Sequence, residues 1–344
     1  MSLPKRLLVT GGAGFIGSAF VRRVLERHAE VQVTVLDKLT YAGNLANLEP
    51  VANDPRYRFV LGDINDPAVV DLAAASVDAI VNFAAESHVD RSIEEPDAFI
   101  QTDVHGTFTL LEAARRHGHA RYLQVSTDEV YGNVPNGSSL ETDGLRPRSP
   151  YSASKAAGDL LVGAYHTTYG VPAMITRASN NFGPYQYPEK VIPLFVTNAI
   201  DGEPLPLYGD GQQIRDWLYV DDHCDAIELV LADGEAGEIY NVGGGNEFAN
   251  LDVTRMILEL TERDLSLVRR VPDRPGHDRR YSVECAKVRG LGWAPVHAFV
   301  DALAETVAWY RAREDWWRPL KSGDYLDYYR RQYGDRLAAS TAVE

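Results

Sequence analysis

Short apolar runs alternate with stretches of helical spacing through the first half of the chain. Arg6–Thr10 reads as a buried strand, and an amphipathic pattern follows from Phe15 to about His28. Val31–Leu36 is the next strand and ends in Asp37. Tyr57–Leu61, Val77–Phe83 and Ala120–Ser126 repeat the strand pattern. Helical spacing starts near Asp66-Pro67 and again runs over residues 97 to 116. A helix carrying Tyr151 and Lys155 precedes a sixth strand, Val171–Arg177. Strands and helices in alternation predict a parallel, doubly wound α/β sheet, with ligands beyond the carboxyl ends of its strands. From about residue 179 the alternation gives way to segments rich in Pro, Gly and Tyr (181–188, 204–211).

The expected organisation is a Rossmann-like domain over residues 1–178 carrying the catalytic residues. A smaller C-terminal lobe over 179–336 supplies substrate contacts, with a segment near 238–242 returning to the core sheet. Residues 337–344 read as a frayed tail. A chain of 344 residues, 45% hydrophobic and 24% charged, is long enough for this. Its 34 basic residues against 49 acidic ones leave a net charge of −15, which disfavours a broad grip on nucleic acid or an anionic membrane. The two cysteines, Cys224 and Cys285, fall outside any CxxC spacing. No metal site or disulfide framework is expected, and a reducing, cytoplasmic setting fits. Neither a signal peptide nor an apolar run of membrane-spanning length is read from the sequence.

Candidate chemistry gathers at the strand ends. Gly11-Gly12-Ala13-Gly14-Phe15-Ile16-Gly17 follows the first strand directly, where glycines let a backbone approach a pyrophosphate at a helix N-terminus. Asp37 lies about 20 residues on, where a carboxylate bonds ribose hydroxyls and repels a 2′-phosphate. That favours NAD over NADP, although the adjacent Lys38 weakens the preference. Asp63 either bonds adenine or caps the next helix. Ala84 and Ala85 give a nucleotide room to pass. Ser126-Thr127-Asp128-Glu129 ends the fifth strand, placing a hydroxyl beside two carboxylates. Tyr151 and Lys155, four apart, share one helix face. A phenol base beside paired carboxylates suits oxidation of a carbinol followed by elimination of a neighbouring group.

These residues resemble the extended short-chain dehydrogenase/reductases, through 10–17 and Tyr151-x-x-x-Lys155, over about Lys5 to Gly334. Narrower runs (37–44, 84–92, 126–132, 179–186, 188–193, 215–220 and 273–278) resemble the dTDP-glucose 4,6-dehydratases within that superfamily. The resemblance implies a hydro-lyase with tightly bound, recycled NAD that converts dTDP-glucose to the 4-keto-6-deoxy sugar. Tyr151, assisted by Lys155, takes the 4-hydroxyl proton, and Thr127 bonds the 4-oxygen. Glu129 takes the C5 proton and Asp128 protonates the leaving 6-hydroxyl. Lys155 and a positive nicotinamide are expected to favour the phenolate of Tyr151. The resemblance adds Thr40, Ile64, Ala84, Thr102 and Asn181 as cofactor contacts. Ser87, His88, Asn180, Lys190, Val191, Pro206, Tyr208, Arg215, Asn250, Arg274 and His277 are implied substrate contacts. Of these, Lys190, Arg215 and Arg274 are diphosphate candidates, the alternative being surface charge. Asp103 stands where relatives carry Asn and is expected to lie outside the reacting centre. A homodimer through the helices near 97–116 and 151–169 is also implied. The rival functions are an NAD-dependent nucleotide-sugar 4-epimerase, the NADP-type GDP-mannose 4,6-dehydratase, which Asp37 disfavours, and a nucleotide-binding protein without turnover.

Overall fold

The computed structural model describes residues 2–342. The first half forms β1 (Arg6–Thr10), β2 (Gln32–Asp37), β3 (Tyr57–Leu61), β4 (Ala79–Asn82), β5 (Arg121–Thr127) and β6 (Ala173–Ala178). The second half adds β7 (Asn180–Phe182), β8 (Leu205–Tyr208), β9 (Ile214–Tyr219), β10 (Ile239–Val242), β11 (Glu247–Ala249), β12 (Val268–Val271) and β13 (Thr341–Ala342). Seven strands make one parallel sheet in the order β10-β6-β5-β4-β1-β2-β3. The chain winds outward from β1 to β3 and then restarts at β4 on the other side of β1. The carboxyl ends of β1 and β4 thus flank a crevice where a ligand can enter.

Local chemistry sets the helix ends. Asp66 caps the helix Pro67–Ala74, its carboxylate accepting from the Ala68 N–H at 2.9 Å. Ser149 and Ser152 cap the helix Pro150–Tyr169 reciprocally, with Pro150 in its first turn and Gly170 stopping it at φ 70°. The expected helix over 97–116 is helical throughout but not uniform. Pro96–Phe99 and Thr107–His117 are α-helical, and Ile100–Gly106 between them forms wider π turns.

Helices cover both faces of the sheet. One core holds Val24, Leu25 and Val35, and the other holds Val70, Leu110 and Val162. The return to this sheet is larger than expected from residues 238–242. β10 pairs with β6, Ile239 beside Ile175, and its crossover helix Val220–Asp233 packs Cys224, Ile227 and Val230 into the first core. Cys285, Val288 and Trp293 join the same core. The physical reason is that a parallel strand needs a crossover covering one face. Arg23 ties this helix to the first one through Asp221 at 2.7 Å and Asp225 at 2.5 Å.

Two small sheets, β11-β9-β7 and β13-β12-β8, carry a separate core around Phe182, Trp217, Phe299, Tyr310 and Trp317. The expected frayed tail over 337–344 needs correction. The helix Asp324–Ala338 continues through Leu337, and Thr341 and Ala342 pair antiparallel with Arg270 and Arg269 of β12. Backbone pairing to an open strand edge outweighs the polar, Ala-rich composition of that segment. Residues 343–344 lie outside the described residues.

Candidate active site

A cavity of about 380 Å³ opens at the carboxyl ends of the main sheet, a size that suits a small-molecule ligand. The glycine turn forms its floor. Gly11 has φ 67°, and a Cβ there would stand 2.5 Å from the Ala84 backbone nitrogen. Only glycine lets β1 and β4 converge at this point. Gly14, Phe15, Ile16 and Gly17 complete the turn along the cavity wall.

Asp37 does double work at the end of β2. Its carboxylate accepts from the Ala13 N–H at 2.9 Å and the Leu39 N–H at 2.8 Å while lining the cavity. Burial raises its proton affinity and these two donors oppose the rise. Lys38 faces Asp63 at 3.5 Å and donates to the Thr102 hydroxyl at 3.3 Å. Its charge is thus partly spent on an acid, which blunts its pull on a 2′-phosphate. Because Asp66 is the helix cap, the capping alternative for Asp63 falls away, and Asp63 lines the cavity with Thr40, Ile64, Ala84 and Asn181.

At the end of β5 the Thr127 hydroxyl accepts from the Glu129 N–H at 3.2 Å, closing a tight turn over Asp128–Tyr131. Adjacent side chains in such a turn point apart. Glu129 lines the cavity together with Thr127, Tyr151 and Lys155. Asp128 is 2% exposed and does not appear in the cavity wall. Its Oδ2 has no hydrogen-bond partner among the described residues. Burial, then the Glu129 and Asp216 charges, push Asp128 well above the usual carboxylate range, against the opposing pull of Arg215. These surroundings favour the protonated form of Asp128.

Lys155 donates to the Val125 carbonyl at 2.8 Å. Tyr151 packs edge-on to Phe99. Burial, then Glu129 and Asp103, push the phenol well above its ordinary value, and the Thr127 hydroxyl partly offsets them. The expected help from Lys155 together with a positive nicotinamide has burial, Glu129 and Asp103 to work against. Asp103, expected outside the reacting centre, is absent from the cavity wall and is buried behind it, accepting from the Ser154 hydroxyl at 2.7 Å and from the Glu86 N–H at 3.1 Å. Burial raises it to about 7, opposed first by Lys155.

The far wall is cationic. Arg215 is 5% exposed, stacked 4.3 Å from the Tyr281 ring centroid and donating to the Asp278 carbonyl. Arg274 pairs with Asp90 at 3.2 Å, and its Nε is buried without a partner among the described residues. Lys190 donates to the Ser87 carbonyl. These three are not free surface charges. His277 is pushed down to about 4 by burial, then by Arg274 and Arg215, despite Asp273 at 2.6 Å. Tyr208 donates to Asp90 at 3.0 Å. His88, Asn180, Val191, Pro206 and Asn250 line the same cavity, and the amide oxygens of Asn180 and Asn250 are buried without partners among the described residues. Such orphaned atoms are what a polar ligand satisfies. Sequence reasoning missed Glu86, Asp90, Gln186, Glu189 and His223 in this wall. Glu86, Asp90 and Glu189 lie inside the runs 84–92 and 188–193, so that proximity was the available signal. His223, whose Nδ1 lies 2.9 Å from the Asn181 amide oxygen, carried none.

The family model described as GDP-mannose 4,6 dehydratase matches residues 8–306. The chain is 55% identical over 324 residues to a dTDP-glucose 4,6-dehydratase of Streptomyces niveus, covering 93% of this chain and 96% of that one. The chain belongs to the dTDP-glucose 4,6-dehydratase family. Within that family, a crystal structure of the Streptomyces venezuelae enzyme with NAD bound superposes with TM-score 0.90 at 57% identity, over 92% of this chain and 100% of that one. A Thermus thermophilus UDP-glucose 4-epimerase in complex with NAD shares the fold less closely, with TM-score 0.83 at 33% identity over 90% and 99% of the two chains.

Proposed function

We propose that the enzyme dehydrates dTDP-glucose to its 4-keto-6-deoxy product without net redox change, using NAD. The observation that carries this is one cavity wall in which Thr127 and Glu129, with Asp128 behind them, meet Tyr151 and Lys155. The glycine turn that a Cβ would obstruct, with Asp37 beside it, fits a dinucleotide. Gly11, Gly14, Phe15, Ile16, Gly17, Asp37, Lys38, Thr40, Asp63, Ile64, Ala84, Thr102 and Asn181 would hold it, with Tyr151 and Lys155 at its reactive end.

NAD, when bound, supplies the hydride acceptor and then the donor, together with a positive charge that favours the Tyr151 phenolate. Tyr151 takes the proton of the sugar 4-hydroxyl, and Thr127 bonds that oxygen. The resulting 4-ketone acidifies C5, from which Glu129 removes the proton. Asp128, held neutral by burial, delivers its proton to the departing 6-hydroxyl, which leaves as water. The proton at Glu129 returns to C5 once C6 is reduced. Arg215, Arg274 and Lys190 offset the diphosphate charge, while Ser87, His88, Asn180, Val191, Pro206, Tyr208, Asn250 and His277 shape the remaining contacts.

Two coarser points extend this. Ile100, in the π turns, and Phe108, on the helix Thr107–His117, are exposed, as are Leu160 and Tyr169 on the helix Pro150–Tyr169. Large apolar side chains on adjacent helices support a homodimer through that face. No helix among the described residues is long and apolar enough to cross a membrane. The two buried, free thiols Cys224 and Cys285 support a reducing, cytoplasmic setting. Incubation with dTDP-glucose, followed by alkali-induced absorbance of a 4-keto-6-deoxy sugar, tests the reaction. Formation of dTDP-galactose instead would select epimerisation, and an unchanged substrate would select binding alone.

A further inference from the structure

Three irregular segments border the cavity: 38–44 after β2, 84–88 after β4, and 185–190 ahead of the helix Val191–Asp201. The first and third each hold a non-glycine residue in left-handed backbone, Leu39 at φ 55° and Tyr185 at φ 68°. Such conformations persist only where surrounding contacts impose them. One side chain joins the three segments. Arg91, just past the second, donates to Glu189 Oε2 at 2.9 Å. Its guanidinium lies 3.9 Å from the Tyr41 ring centroid and 4.1 Å from that of Tyr328. The Tyr41 hydroxyl donates to the other Glu189 oxygen at 2.8 Å. Glu189's side chain is 3% exposed and Arg91's is 22%, so this pair is partly shielded from water and salt. Tyr328 and Tyr325 belong to the helix Asp324–Ala338, and Tyr325 donates to the Pro188 carbonyl at 3.1 Å, anchoring the third segment there.

Arg91 and Tyr41 do not appear in the cavity wall, whereas Thr40, Ala42, Gly43, Glu189 and Lys190 do. The pair therefore acts on the walls rather than on a ligand. We propose that Arg91, Glu189 and Tyr41 form a latch that ties segment 38–44 to segment 185–190 and retains the dinucleotide between turnovers. This rests on the reading that the cavity holds NAD. A cofactor that ends each cycle in its starting redox state has no chemical need to leave, so its exchange rate is set by how often these walls part. Arg91 is a positioning residue here. Its planar group lies against two rings while its Nε–H donates to a carboxylate, which a lysine cannot reproduce.

The test is exchange of bound NAD against isotopically labelled NAD, followed by rapid gel filtration of the whole protein. Arg91→Lys is expected to exchange about ten-fold faster than wild type, one unit of log rate for a loosened latch. Tyr41→Phe, which removes a single hydroxyl, is expected to fall between the two and decides the matter if Arg91→Lys does not fold. Ile257→Val, in the separate core of the second lobe, serves as a control that lowers the melting temperature and leaves exchange unchanged. Wild-type exchange rates in both latch variants would overturn the proposal, as would equal acceleration in the core control. A wild-type protein that takes up no NAD would overturn the cofactor reading first and the latch with it.

Discussion

Asp128 and Glu129 are adjacent in sequence and sit in different surroundings, and the chemistry depends on that difference. Glu129 faces the cavity; Asp128 is buried behind it, where its protonated form is favoured. Glu129→Gln is expected to slow turnover by ~10²–10⁴-fold and to abolish exchange of the C5 hydrogen with deuterated water. Asp128→Asn is expected to retain C5 exchange and lose water elimination. Both variants losing both steps equally would sink this division. Asp103 gives a pH prediction. Its folded value of about 7 lies above its ordinary 3.8, so its contribution to stability is full below 3.8 and is lost as pH rises through 7. Asp103→Asn should therefore raise the melting temperature more at about pH 8 than at about pH 4.5. An equal change at both would show that the carboxyl does not titrate there. The identities of Tyr151, Lys155, Thr127, Asp37 and the glycines were legible in the sequence because their chemistry is written in fixed local spacing. The burial of Asp128 was not, nor were the charges of Asp216 and Arg215 acting on it, because distant parts of the chain supply them. Nor was the closeness of Asp103 to Ser154, which arises from helix packing.

The strands of the main sheet, and the helix ends read in the first half, were legible to within two residues because apolar runs and caps are local signals. The π turns over Ile100–Gly106 were not, because seven residues of i→i+5 bonding are too short to set a period of their own. They nonetheless accompany the placement of Thr102 at the cavity and Asp103 against Ser154. The pairing of Thr341–Ala342 with β12 was equally hidden, since two residues carry no period. Two element-scale outcomes follow. Ser149→Ala removes the cap of the helix bearing Tyr151 and should cost about 1 kcal/mol, read as a lower denaturation midpoint. Gly11→Ala places a methyl against the Ala84 backbone at a φ that disfavours it, and should eliminate NAD uptake in equilibrium dialysis. Uptake at the wild-type level would show that the glycine turn is not the cofactor floor.

The whole molecule combines a sheet that recurs in many dehydrogenases with a second set of walls drawn from the C-terminal half. Fold class and the crevice were readable from alternation alone. The share of the C-terminal half that packs under the main sheet was not, because residues 220–232 and 285–293 find their partners only in three dimensions. The exposed Phe108 and Leu160 predict that Leu160→Glu converts a dimer to a species near the 38.1 kDa chain mass in light scattering. An unchanged mass would count against the proposed dimer through this face. Oxidation and elimination share one cavity in this reaction, and the hydride returns within a single turnover. The direct measurement uses dTDP-glucose deuterated at C4. A 4-keto-6-deoxy product carrying that deuterium at C6 is expected. Loss of the label to solvent, or a labelled product that retains its 6-hydroxyl, would contradict it.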